Sequence, residues 1–182
     1  MRQQLVLCAV LLMSVAVSAE ETELYWDDGE FYGAVPETGC WAVEFEKPSG
    51  DGSLTQLGLF TWAVWRDRGF SGELRVYSAA GGAPGQLLDS RAFEAAGEGY
   101  WQWVDVAVEV PTQYFYVAWY DGGNAFYLGR DVAASGHSWH RPVGGDWGQT
   151  DAYGDLMLRC RWDDNPIGMI GGSWGAVKAL YR

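Results

Sequence analysis

The chain has 182 residues and sets 12 Lys and Arg against 24 Asp and Glu, a formal charge of −12. So acidic a surface repels nucleic acid and anionic membranes and keeps an exported protein soluble. On charge, the partners left open are neutral extracellular glycans, other proteins, or divalent cations.

The first residues read as a secretory leader. Arg2 supplies the positive start, Leu5 to Val17 the apolar run, and Val17-Ser18-Ala19 the small residues before Glu20. As a helix that run spans only about 20 Å, short of the roughly 30 Å hydrocarbon core. Residues 1–19 are therefore expected to leave as a signal peptide, with cleavage after Ala19 and no membrane insertion afterwards. Cys8 precedes most of the apolar run, too early for a lipid-modified cysteine. The expected location is secreted or cell-surface. Cleavage removes Arg2 and no acid, so the mature chain is one unit more negative.

Cys40 and Cys160 then remain. In an oxidising compartment they are expected to form one disulfide, closing a loop of about 120 residues worth at most roughly 5 kcal/mol. The other reading is two unpaired buried thiols. Near the mature start, Asp27-Asp28-Gly29-Glu30 is an acidic turn. Asp27 and Asp28, with Asp155, could supply oxygen ligands to a structural Ca²⁺. The alternative is a solvated turn bent at Gly29. No other cofactor is required.

From there to Trp162 the pattern is β. Short alternating runs are bounded by Gly, Pro, Asp and Ser, and no sustained 3.6-residue period appears. In Cys40–Glu46, Trp41, Val43 and Phe45 share one face while Glu44 and Glu46 take the other. Leu54–Trp65 is apolar on both faces, as a covered central strand would be. Glu73–Ser78 turns Leu74 and Val76 inward, and the stretch Gly81-Gly82-Ala83-Pro84-Gly85 predicts a turn, with Pro84 presetting φ and Gly85 tolerating a positive one. Further strands are expected at Arg91–Ala95, Tyr100–Val108, Gln113–Tyr120, Ala125–Leu128, Ser138–Arg141 and Asp155–Trp162. Strands at intervals of roughly ten residues predict a two-sheet antiparallel β-sandwich, jelly-roll-like, over residues 20–162.

Eleven Trp, ten Tyr and seven Phe are more than such a core can hide. Trp41, Trp62, Trp103, Phe115 and Trp119 are expected inside. Tyr100, Trp101, Trp139 and Trp147, near loops, are the candidates for exposed contact residues, able to stack on a pyranose ring or on a protein neighbour.

Familiar catalytic motifs are missing. Ser135-Gly136-His137-Ser138 is no nucleophile elbow, and there is no HExxH, P-loop or dinucleotide fingerprint. His137 and His140 would point to opposite faces of a strand and so cannot share a metal. Glycoside hydrolysis needs only two carboxylates about 5–10 Å apart, for which Glu44, Glu46, Glu73 and Glu109 are the available acids. None sits in a recognisable catalytic pattern.

A series of segments resembles bacterial secreted β-sandwich modules of jelly-roll, galactose-binding-like character. These are YWDDGE (25–30), WAVEFEKP (41–48), GELRVYSAAGGAPGQLL (72–88), YWQWVDV (100–106), YFYVAWYDGG (114–123), FYLGRD (126–131) and GDLMLRC (154–160). The resemblance implies a fold of that kind on secreted or surface polypeptides, without assigned catalytic residues.

Residues 163–172 read as a linker and 173–182 as a short helical tail capped by Ser173, with Trp174, Val177 and Leu180–Tyr181 on one face. Trp174, Gly175, Lys178 and Arg182 also resemble a short C-terminal sorting tail read by export machinery. The tail is either that or a helix docking on the sandwich. The expected function is a non-catalytic exported binding or structural module. The alternatives are a carbohydrate-binding module or a small two-carboxylate glycoside hydrolase.

Overall fold

A computed structural model describes residues 21–35, 38–48, 51–61, 70–95, 100–122 and 128–164. These form twelve strands: β1 Glu21–Leu24, β2 Gly33–Val35, β3 Cys40–Glu46, β4 Ser53–Thr61, β5 Phe70–Ala80, β6 Ala83–Ala95, β7 Tyr100–Val108, β8 Tyr114–Tyr120, β9 Leu128–Arg130, β10 Ser138–Arg141, β11 Gly148–Gln149 and β12 Leu158–Asp163. Among the described residues there is no helix, and so none able to cross a membrane. The leader, Trp62, residues 165–172 of the linker and the tail lie outside the described residues.

The strands make two antiparallel sheets. Sheet I runs β1-β12-β4-β9-β2, with β7 pairing the other edge of β4; sheet II runs β11-β10-β3-β8-β5-β6. Alternation explains how they face each other. Trp41, Val43 and Phe45 of β3 join Phe115, Val117 and Trp119 of β8 and Leu74 and Val76 of β5. From sheet I come Leu54, Leu57 and Leu59 of β4 with Leu158, Cys160 and Trp162 of β12. All lie in one buried cluster, and Phe115 meets Trp162 across it at 6.3 Å between ring centroids. An all-β chain with one apolar layer between two sheets is a sandwich arrangement. The expected interior residues Trp41, Phe115 and Trp119 are buried there.

Two local readings change. The expected turn within residues 81–85 is present, and the β5–β6 hairpin makes it with Gly81-Gly82, at φ of 62° and 81°, not with Pro84 and Gly85. Two consecutive positive φ values are what a tight hairpin turn needs, and glycine supplies them without steric cost. Pro84 sits inside β6, tolerated because β6 is an edge strand. Trp103 leaves the core: β7 presents it on the outer face of sheet I, half-buried over Gly58. A Cβ at Gly58 would lie 2.7 Å from that indole, so glycine is what allows the ring to lie flat on β4.

The disulfide is not formed. Cys40 and Cys160 are both buried and free. Their strands lie in different sheets, and alternation places them on different sides of sheet II. Cys160 belongs to the core between the sheets, whereas Cys40 belongs to a second buried cluster on the far face. No adjustment of rotamers brings two such sulfurs together.

Candidate functional site

The two outer faces carry the remaining aromatics and differ in how completely they answer their own charges. On sheet I, Gln56, Gly58 and Phe60 of β4 stand beside Trp101, Trp103 and Asp105 of β7. On the other side of β4 stand Arg159 and Arg161 of β12. Arg159 lies over Trp101 at 4.2 Å and Arg161 over Trp103 at 4.3 Å. Each guanidinium is also paired: Arg159 with Asp27 and Glu23, Arg161 with Glu23 and Glu21. This face is a closed lattice in which every cation has its carboxylate and each indole its cation.

Sheet II is different. Its outer face forms a grid in which Arg141, Cys40, Tyr120 and Glu73 make one row across β10, β3, β8 and β5. Trp139, Ala42, Ala118 and Arg75 make the next row, and Glu44, Tyr116 and Tyr77 the third. The two alanines leave a trough in the middle of the sheet. The β10–β11 hairpin folds back over it, and Trp147 reaches Tyr77 at 5.7 Å in an edge-on contact. Cys40, Ala42, Tyr77, Tyr116 and Ala118 are thereby buried, with Trp139 and Trp147 packed against them. That burial pushes the Cys40 thiol up to about 11, with the nearby Arg141 and Arg75 pulling the other way.

Between the hairpin and the sheet an open cleft of about 420 Å³ remains, lined by Arg75, Tyr120, Arg141 and the Pro142–Gly145 loop. That volume is in the range of roughly 300–1,000 Å³ usual for small-ligand sites. Arg75 covers the Tyr120 ring at 3.9 Å and is bound to Glu73 at 2.8 Å. Arg141 stacks on Trp147 at 4.8 Å, and among the described residues no carboxylate lies within ion-pair distance of it. The indole N–H of Trp139 is buried without an acceptor.

The expected contact residues are therefore split. Trp139 and Trp147 share the sheet II face. Trp101 belongs to the sheet I lattice, and Tyr100 stands exposed at the start of β7, opposite Thr61. Arg75 and Arg141 were missed, because a single Arg on an alternating strand carries no sequence signal of its own.

The acidic residues are tied up locally. Both Asp27 oxygens face Arg159, and Oδ1 also accepts the Gly29 amide at 3.0 Å. Asp28 accepts from the Glu30 amide at 2.8 Å, and Asp155 accepts from the Ser135 amide and hydroxyl at 2.9 and 2.6 Å. The centre of this region is Asp131, a residue the sequence did not single out. It is wholly buried and accepts from the amides of Asp28 and Asp155 at 3.1 and 3.0 Å. Burial raises its pKa, and those two amides partly offset the rise. Among the described residues no group of three or more His, Cys, Asp or Glu is arranged to hold a metal.

Of the acids weighed for hydrolysis, Glu44 accepts from the Tyr116 hydroxyl at 2.5 Å and has His137 Nδ1 at 3.8 Å. Desolvation and the Glu44 contact raise the Tyr116 pKa. Glu73 accepts from Arg75 and Ser90, which lowers its pKa, and Glu46 accepts from Gln113 at 3.0 Å. Glu109 is exposed beyond the end of β7. The register sets Glu44 and Glu73 two strands and four residues apart, about 17 Å between Cα positions, too far for a catalytic pair. The two histidines do face opposite ways. His137 stacks on Trp26 at 3.8 Å, and His140 stacks on the core residue Trp41, also at 3.8 Å.

No family model matches the chain, and neither a curated protein nor a solved structure matches it significantly.

Proposed function

We propose that this chain is a non-catalytic, exported binding module with a jelly-roll-like sandwich, and that it holds a glycan in the cleft beneath the β10–β11 hairpin. The observation that carries this reading is the contrast between the two faces. The sheet I lattice is closed on itself, whereas the sheet II cleft is open and lined by two guanidinium groups, Arg75 and Arg141, with the Tyr120 ring and the Pro142–Gly145 loop. A concave site that combines a ring with a few well-placed polar donors suits a small polar ligand such as a saccharide. The leader at residues 1–19 and the tail at 173–182, as a sorting signal, belong to the same proposal.

Isothermal calorimetry against a panel of soluble polysaccharides tests it, using the wild-type chain and Tyr120→Ala. At least one glycan should bind, and the Tyr120 variant should bind it at least tenfold more weakly with its thermal midpoint kept. No binding across the panel, or equal binding by the variant, would remove the cleft from the account.

A further inference from the structure

Among the described residues, Arg141 is a cation on the sheet II face with no carboxylate within ion-pair distance. Arg75, its neighbour in the cleft, is bonded to Glu73 and to the Tyr77 hydroxyl. Asp121, the nearby buried carboxylate, accepts the Gly39 amide at 3.3 and 3.2 Å. Arg141 instead lays its guanidinium over the Trp147 indole. Stacking of that kind occupies the face of the guanidinium and leaves its edge, a planar fork of N–H donors, for a ligand. Two residues away on the same face, the Trp139 indole N–H is buried without an acceptor. The cleft thus holds one guanidinium without a carboxylate, in a chain whose overall charge is −12.

We propose that the cleft takes a carboxylate-bearing sugar, a uronate residue of an acidic glycan, with its carboxylate held by the edge of Arg141. The proposal rests on the glycan-binding reading of the same cleft and adds the chemical class of the ligand. A planar carboxylate matches the guanidinium fork with two parallel hydrogen bonds. A sugar suits the place better than an acidic peptide. The cleft lies on the face of the sheet, where ladder hydrogen bonding is already satisfied, and not along an edge that could pair with a peptide backbone. Its 420 Å³, bounded by Tyr120 and the Pro142–Gly145 loop, accommodate a ring or two.

The test is calorimetry with the full chain against soluble polygalacturonate, polymannuronate, polyguluronate and polyglucuronate, each beside its methyl ester. The methyl esters remove the charge and keep the rings. Arg141→Met keeps the aliphatic stem, and Arg91→Met, which alters an exposed pair on edge strand β6, is the control. At least one uronan should bind. Its ester and the Arg141→Met variant should each be at least tenfold weaker, and the Arg91→Met variant unchanged. If Arg141→Met fails to fold, Arg141→Lys serves, because it keeps the charge but loses the fork; its affinity should fall between the two. No uronan binding, or equal binding by the Arg141 variants, overturns the proposal. Binding of neutral glycans alone overturns it while leaving the glycan-binding reading intact. Tighter binding of polyglutamate than of any uronan overturns both, and so does silence across every glycan.

Discussion

Replacing Arg159 with Met isolates a buried negative charge. The Asp27 side chain has no solvent exposure and is bonded by two guanidinium nitrogens of Arg159, which is itself 16% exposed. Arg159 also bonds Glu23 at 3.0 Å and lies over Trp101 and Tyr25. Removing one partner of a buried pair costs about 3–5 kcal/mol, since the other charge stays behind without compensation. Lost stacking on Trp101 adds at most about 1 kcal/mol, because Met still packs there. For a domain of this size each kcal/mol moves the thermal midpoint by roughly 2–4 °C, so the expected drop is about 6–24 °C. Urea unfolding of Arg159→Met and of the double variant with Asp27→Asn reads the same quantity. The double variant should regain part of the loss, since a neutral Asn needs no counter-charge. A loss under about 1 kcal/mol in the single variant would mean that the pair is effectively solvated, and the lattice reading of sheet I would fall with it.

Stability should decline on the alkaline side. Cys40, Cys160, Tyr77 and Tyr116 all have pKa values raised by burial, so the folded chain holds their protons more tightly than the unfolded one. Their contribution is whole below the ordinary thiol value of 9.0 and is lost as pH rises through the folded value of about 11 for Cys40. Denaturant midpoints at pH 7 and pH 10.5 should therefore differ, with the second lower; equal midpoints would contradict the burial of these groups. A thiol reagent at pH 8 should leave Cys40 and Cys160 unmodified in the native chain and label both after denaturation; two unreactive cysteines in the denatured, unreduced chain would mean they are bridged. Gly58→Ala should cost about 1–3 kcal/mol by lifting Trp103 off β4, checked by urea unfolding. Chelation of calcium should leave the thermal midpoint where it is, because Arg159 and Ser135 already occupy Asp27 and Asp155; a fall of several degrees would restore the ion.

Much of the fold was legible because alternation records which side of a strand is buried. Tyr100–Val108 and Ser138–Arg141 were read with their observed limits, and Cys40–Glu46 with its inner face of Trp41, Val43 and Phe45. The strands β1, β2 and β11 were missed: β2 and β11 have only three and two residues, too few to show a period, and Glu21–Leu24 places three polar residues in a row. The same alternation misled at the outer faces. Glu44 and Glu46 imply a wet surface, yet Cys40 and Ala42 on that face are buried, because a hairpin about a hundred residues away folds over them. Nothing local to Cys40 encodes that cover. The pairing of Cys40 with Cys160 failed for the same reason: which sheet a strand joins is decided by distant partners. The site was half legible. An excess of aromatics implied exposed rings, but which rings share a face depends on strand order, and strand order separated Trp101 from Trp139 and Trp147.

Ligand is expected to enter between the β10–β11 hairpin and sheet II. Two-dimensional NMR of the indole N–H resonances tests it most directly, because tryptophans mark both faces. Titration with a polysaccharide that binds should shift the Trp139 and Trp147 signals and leave Trp101 and Trp103 in place. Shifts confined to Trp101 and Trp103 would move the site to the sheet I lattice and contradict the account.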